Sequence, residues 1–429
     1  MTPTGVRSAA MATPVPFTSY QKKLFLFLGV ACFFEGYDFF ALSQLLPNIR
    51  KSFNLSHFEG GAMLTVVNFG TMLAYLLVRK GDRWGRKPLM TVTIIGYSLC
   101  TFATGLAPNA VLFAIAQLAA RVFLIGEWAI SMVYAAEEFP AERRGMVIGV
   151  IQATTSLGGI VCAGIVPLLL KNPFFPDPFK WRFVYLSAIV PLALIAYLRR
   201  DLRETTRFEA RKAEGVIDQP ADMFRIWKNA STRSWMLKVS LLWFLTYVGS
   251  STAVTYWKEF AMGERGLTEA QVGQAITIAA LASMPLVFVA GKIIDVLGRR
   301  IGGAVIYIAG AGGIAAAYSL HGQGSLTFVL VFAIFGATAV LSVMNAITAE
   351  LFPTELRADA YAWCNNLIGR IGYVIAPLVV GWLAGPTHVG KVGPVVAVTP
   401  IGLVLAIILI FALVPETKGK ELDDKTLMH

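Results

Sequence analysis

Apolar runs of about twenty residues recur along the chain, separated by short polar stretches. A run of that length crosses roughly 30 Å of hydrocarbon at the helical rise of 1.5 Å per residue. Twelve of them fall at 24–46, 58–79, 88–107, 109–136, 145–170, 181–200, 235–260, 270–291, 301–320, 325–349, 358–384 and 394–414. A helix satisfies its own backbone in lipid, so the pattern predicts an all-α membrane protein with twelve transmembrane helices. One long hydrophilic segment divides the spans six and six. The expected organisation is a tail (1–23), a six-helix bundle (24–200), a central loop (201–234), a second six-helix bundle (235–414) and a tail (415–429). The charges of the central segment, among them Arg203, Glu204, Arg207, Arg211, Lys212, Asp218 and Asp222, read as a solvated linker.

Composition supports lipid as the solvent. Of 429 residues 56% are hydrophobic and 15% charged, with a mean hydropathy of +0.64, which leaves too little polar surface for a soluble domain of this size. The net charge of +11 is not a nucleic-acid footprint, because of where it sits. Of the 37 Lys and Arg, counting those near span ends with the adjoining loop, 27 fall in the N-terminus, the even-numbered loops and the C-terminus, 8 fall in the odd-numbered loops, and Arg121 and Arg370 lie deep within spans. That asymmetry predicts a multi-pass protein of the cell (inner or plasma) membrane with both termini cytoplasmic. No cleavable leader precedes the first apolar run, so residues 1–23 are expected to stay as a cytoplasmic tail. The four cysteines, Cys32, Cys100, Cys162 and Cys364, each lie in an apolar run without metal or redox spacing and read as small core residues.

The two halves repeat. Asp82, Gly85 and Arg86 between spans two and three map onto Asp295, Gly298 and Arg299 between spans eight and nine at an offset of 213. Glu137, Phe139, Pro140, Glu142 and Arg144 after span four map onto Glu350, Phe352, Pro353, Glu355 and Arg357 at the same offset of 213. A looser echo, Glu204-Thr205 with Glu416-Thr417, has an offset of 212. A shared offset predicts two pseudo-symmetric bundles.

These residues resemble the major facilitator superfamily, whose loop signature Gly-x-x-x-Asp-x-x-Gly-Arg-Lys/Arg is matched in full by Gly291 to Arg300. The first half carries Val78 where that signature has glycine. The Glu-x6-Arg spacings and the Pro-Glu-Thr-Lys-Gly tail are similar to the sugar-porter and organic-ion branch. The resemblance implies a cytoplasmic gate formed by Asp82, Arg83, Gly85, Arg86, Glu137, Arg144, Asp295, Gly298, Arg299, Glu350 and Arg357. Their charges are expected to pair when the halves approach and to favour the outward-facing state.

Charged groups inside spans are expensive, at about 2.5–3.5 kcal/mol each, and mark function. Glu35 and Asp38 in span one are three residues apart on one helix face, 11 and 14 residues past Leu24, or roughly 17–21 Å deep. Two neighbouring carboxylates in low dielectric do not both ionise cheaply, which suits one of them to bind and release a proton. Glu35-Gly36-Tyr37-Asp38 resembles the Asp-Gly-x-Asp motif of proton-coupled aromatic-acid symporters, with Glu35 in place of the first Asp. Arg121 in span four and Arg370 in span eleven offer planar forks for a carboxylate; Arg121 alternatively pairs with Glu35, Asp38 or Glu127. Gly126-Glu127-Trp128 resembles metabolite–proton symporters, where Glu127 either relays protons or pairs with an arginine. The expected proton-coupling residues are Glu35, Asp38 and Glu127. The expected substrate-binding residues are Arg121, Arg370, Tyr37, Trp128, Gln152, Asn366, Tyr256 and Asn345, with Thr155, Ser156 and Tyr373 on the same helices and Trp243 and Trp363 as further stacking candidates.

The function that follows is proton-coupled symport of a small organic anion, an aromatic or other carboxylate, by alternating access. Expected partners are the substrate, protons and the bilayer around a monomer, with no nucleic acid, no metal and no cofactor beyond the coupling proton. A sugar or polyol porter is an alternative, against which stand two buried arginines and the Thr246-Tyr247-Val248-Gly249-Ser250-Ser251 stretch lacking a glutamine-rich sugar motif. Drug or metabolite export is another, and a membrane sensor that binds without transporting comes from a different class. An enzyme is not expected, because His57, His321, His388 and His429 form no nucleophile–base constellation.

Overall fold

The computed structural model describes residues 17–171, 174, 176, 179–187, 189, 193, 195, 197, 202–214, 224–353 and 356–416. The side chains of Asp82, Arg83, Arg211 and residues 141–145 lie outside that description. Among the described residues the regular structure is helical, joined by short turns and loops. The long helices, numbered by crossing, are α1 (Ser19–Ser52), α2 (His57–Val78), α3 (Arg86–Leu106), α4 (Ala110–Glu138), α5 (Ala141–Lys171) and α6 (Phe179–Ser187) in the first half. The second half has α7 (Ala230–Ser250), α8 (Glu269–Leu297), α9 (Arg299–Ala317), α10 (Gln323–Leu351), α11 (Arg357–Leu383) and α12 (Val392–Leu413). Among the described helices, ten are long and apolar enough to cross a membrane. The other two are α6, described only in part, and α7, whose 21 residues carry Ser231, Thr232, Arg233, Ser234 and Lys238 near its start.

Local sequence sets the helix starts. Thr18 with Gln21, Ser56 with Glu59 and Thr268 with Gln271 form reciprocal capping boxes at α1, α2 and α8. The first helix thus begins at Ser19, five residues before the apolar run at 24, because a cap extends a helix beyond its lipid-matched length. Gly85 and Gly298 precede α3 and α9 with φ of 97° and 86°, a backbone region that disfavours a side chain. The span expected at 235–260 is broken. α7 stops at Ser250, a turn follows, and a short helix, Trp257–Gly263, restarts the chain. The hydroxyl run Ser250-Ser251-Thr252 and the charged pair Lys258-Glu259 explain the break. α11 contains a π-helical stretch, Ala362–Gly369, ending at Arg370. α12 is interrupted between Val398 and Ile401 at Thr399-Pro400.

Within each half, α1 packs on α5, α3 and α2 on α4, α7 on α11 and α9 on α10. Between halves, α2 packs on α11 and α5 on α8. The 213-residue repeat carries α2 onto α8 and α5 onto α11, so these two contacts are one contact repeated about a pseudo-twofold axis. They close at the end away from the repeated loop motifs. There Gly61 sits against the Pro377 carbonyl and Gly273 against Ala163 and Pro167, so close that a Cβ at either glycine would collide. The end bearing the repeated motifs is called the motif face below, and the opposite end the far face.

Candidate functional site

Four of the five ionisable residues predicted inside spans, Glu35, Asp38, Arg121 and Arg370, act on one another. Glu35 accepts a hydrogen bond from Thr155 of α5 at 3.1 Å. It lies within electrostatic reach of Asp38, of Arg121 on α4 and of Arg370 on α11, so charges of both halves act on it. Tyr373 senses Arg121, Arg370 and Glu35. Asp38 is 4% exposed, faces the Tyr97 hydroxyl of α3 and feels Arg121.

Neither arginine is spent on a carboxylate. Arg121, 3% exposed, stacks on Phe39 at 5.7 Å, and its Nε is buried without a hydrogen-bond partner. The Arg370 guanidinium lies over Tyr247 at 5.0 Å and Tyr373 at 5.5 Å, and its Nε is also buried and unpartnered. Among the described residues no ion pair within 4.0 Å involves either guanidinium. Tyr247 is itself fixed: its hydroxyl donates to Asn365 at 2.6 Å, and its ring stacks on Trp243 at 5.4 Å. Trp243 in turn donates from Nε1 to Thr348 at 3.0 Å. A rigid aromatic wall therefore holds the second-half arginine with its donors free.

At the motif face, each half carries the same charge network. Arg86 donates to Glu137 at 3.1 Å and to the Gly81 carbonyl at 2.9 Å. Arg299 donates to Glu350 at 2.6 Å and 2.9 Å and to Asp295 at 3.1 Å. Glu204 accepts the backbone N–H groups of Arg86 and Lys87 at 2.9 Å and 3.1 Å. Glu416 does the same for Arg299 and Arg300 at 2.8 Å and 3.1 Å. The loose echo of Glu204 and Glu416 thus has a physical basis, since both carboxylates sit on the positive N-terminus of the third helix of their half. The pairs named here close within halves rather than between them. Asp82, Arg83 and Arg144 lie outside the described side chains, and Arg357 carries a buried, unpartnered Nε.

The whole-chain match follows this geometry: the family model of the Major Facilitator Superfamily covers residues 28–367 and 239–427. The chain belongs to the major facilitator superfamily. Within that superfamily it is 26% identical to the cis,cis-muconate transport protein of Acinetobacter baylyi, over 86% of this chain and 89% of that one. It is 24% identical to the niacin transporter of the same organism, over 95% and 97%. The crystal structure of a D-xylose–proton symporter superposes with a TM-score of 0.74 at 19% identity, covering 94% of this chain and 100% of that one. The twelve-helix, two-bundle fold and a role in membrane transport are therefore those of the superfamily.

The remaining predicted residues scatter around the superfamily core. Glu127, 2% exposed, accepts a hydrogen bond from Thr93 of α3 at 2.5 Å. Trp128 is half-buried against the first half's own packing, and Tyr37 is half-buried against a core shared by both halves. Gln152 and Asn345 are exposed, with Asn345 accepting from Tyr361 at 2.9 Å, and Asn366 is half-buried in the π stretch. Tyr256 is buried in the turn after α7 and donates to the Pro377 carbonyl at 2.9 Å. Trp363 packs edge-on to Trp227 at 5.0 Å.

Sequence reasoning missed Phe39, Tyr97 and Tyr247. It also missed a cluster at the far face: Glu259 ion-pairs with Arg50 across the halves and lies 3.1 Å from His57. Beside it, Lys258, 1% exposed, pairs with Glu269 at 2.7 Å. The adjacent charges Lys258-Glu259 inside an apolar run were the available signal.

Proposed function

We propose that this protein is a proton-coupled symporter of a small organic anion, an aromatic or other unsaturated carboxylate, working by alternating access. The observation that carries the reading is the pair of guanidiniums, Arg121 and Arg370. They come from opposite halves, have buried donors without partners, and share Glu35 as their common anionic neighbour. A substrate carboxylate placed there receives charge-assisted bonds from both halves and draws them together. Glu35, Asp38 and Glu127 are the carboxylates available to the coupling proton. Protonation of Glu35 removes the anion that competes for the two forks, so proton and substrate binding favour each other. Muconate and niacin, carried by the named relatives, are small planar carboxylates of the class this site fits.

In this reading the motif face is the cytoplasmic one, which the positive-inside count supports. With the halves packed at the far face, through Gly61, Gly273 and the Arg50–Glu259 pair, this conformation is the one closed to the outside. Opening to the outside then requires that pair to part.

The test is uptake into proteoliposomes under an imposed pH gradient, using benzoate, nicotinate, a dicarboxylate and a hexose. Carboxylate uptake that follows the proton gradient supports the reading. Hexose uptake without carboxylate uptake overturns it.

A further inference from the structure

Arg370 and its neighbours on α11 lie where two helical periodicities give different answers. At about 100° per residue an α-helix puts Asn366 and Arg370, four positions apart, on one face and turns Asn365, five positions away, by about 140°. A π-helix bonds residue i to i+5 and lines up positions five apart instead. The stretch Ala362–Gly369 is π-helical and runs directly into Arg370. Accordingly Asn365 is buried, at 4% exposure, and Asn366 is half-buried.

Asn365 and Arg370 meet on a single side chain of α7. The Tyr247 hydroxyl donates to Asn365 Oδ1 at 2.6 Å, and the Arg370 guanidinium lies over the ring of the same tyrosine at 5.0 Å. The two helices are in close contact on both sides of this point. A Cβ at Gly369 would collide with Trp243 Cβ, and one at Gly372 with the Phe244 carbonyl.

We infer that Asn365 is a positioning residue for Arg370, acting through the Tyr247 hydroxyl and ring, and that the π stretch brings it to that bond. This rests on the carboxylate reading above and names what sets the presentation of its second-half fork. A cation over a ring is held by an attraction that tolerates sliding, whereas charge-assisted bonds to a carboxylate demand a plane and a direction. The plane that Arg370 offers therefore follows the plane of Tyr247. Stacking on Trp243 at 5.4 Å fixes the tilt of that ring. The hydroxyl bond pins its far end to the helix that carries Arg370 itself. Ring and fork are thus tied to α11 at two points and move with it as one piece. Asn365 spends its carbonyl oxygen on Tyr247, so its effect on a substrate passes through Arg370.

The experiment measures KM and kcat for radiolabelled nicotinate in proteoliposomes holding the full chain. Tyr247→Phe keeps the ring and removes the donor; Asn365→Leu removes the acceptor at similar volume. Each should raise KM about 2- to 12-fold, the range that corresponds to one neutral hydrogen bond, with kcat within about twofold of wild type. The deciding comparison repeats both substitutions in an Arg370→Gln background. With no guanidinium left to orient, they should change KM there by less than about twofold.

An unchanged KM in the wild-type background overturns the inference. So does an equal rise in both backgrounds, which is the mark of a general packing role. Where a single variant inserts poorly because it orphans a buried polar atom, the Tyr247→Phe/Asn365→Leu double variant removes both partners of the bond and carries the same comparison. Its KM should match that of the singles rather than their product. Sensitivity to Arg370→Gln without sensitivity to Tyr247→Phe overturns this inference alone. A nicotinate KM unchanged by Arg370→Gln, or no entry of nicotinate and benzoate at all, overturns the carboxylate reading and the inference with it.

Discussion

Replacing Arg370 with glutamine removes a planar cation whose surroundings allow its contribution to be sized. The guanidinium is held by the rings of Tyr247 and Tyr373, and its Nε is buried without a partner, so its donors are not already committed to a carboxylate. A substrate carboxylate bound there gains charge-assisted hydrogen bonds of about 1.5–3 kcal/mol beyond what water offered it. Their loss raises KM for nicotinate about 10- to 150-fold. The lost stacking on the two tyrosines, about 0.5–1 kcal/mol each, falls on the fold rather than on the substrate and lowers Tm instead. Arg370→Lys keeps the charge but not the fork, and should recover only part of the affinity. The assay is the concentration dependence of nicotinate uptake in proteoliposomes, with neutral nicotinamide as a competitor. Competition by nicotinamide should be unchanged, because it presents no anion. A nicotinate KM within about threefold of wild type in Arg370→Gln, with normal insertion, would refute anion recognition by this residue.

Three further outcomes follow from the geometry. Glu204→Ala and Glu416→Ala should each lower stability by about 0.5–2 kcal/mol, read as Tm in detergent; equal sizes are expected because each exposes the start of an equivalent helix. Gly36→Ala places a methyl group against the Thr155 carbonyl and must part α1 from α5, at about 1–3 kcal/mol, and a Tm unchanged from wild type would contradict the crossing. Glu259→Gln breaks the Arg50 pair at the far face and should shift the balance towards the outward-open state about 5- to 150-fold; impermeant maleimide should label an Asn48→Cys reporter correspondingly faster than in the Glu259 parent.

The spans were legible because lipid imposes a length and a polarity that few other environments demand, and the repeat was legible because both halves spent the same residues on the same loop. The carboxylates and arginines at mid-depth were legible for the same reason: nothing but a site or a pair keeps Glu35, Asp38, Arg121 and Arg370 there. Their partners were not. Tyr97, Phe39 and Tyr247 are ordinary aromatics in apolar runs, and only the packing of α3 and α7 shows which of many such rings face a charge. The break after Ser250 was hidden because hydropathy averages over a window and passes across a turn flanked by apolar residues. The π stretch before Arg370, which packs on α7, carries no glycine–proline or other local signal in the sequence that marks it.

Glu204 and Glu416 come from the segments that follow the sixth and twelfth spans, yet each returns to the third helix of the bundle it has just completed. Each bundle is in this way buckled shut by its own last residues. The consequence is mechanical: the two blocks can swing against one another while the fastening inside each stays done up, so the hinge lies in the seam between them and not in the blocks.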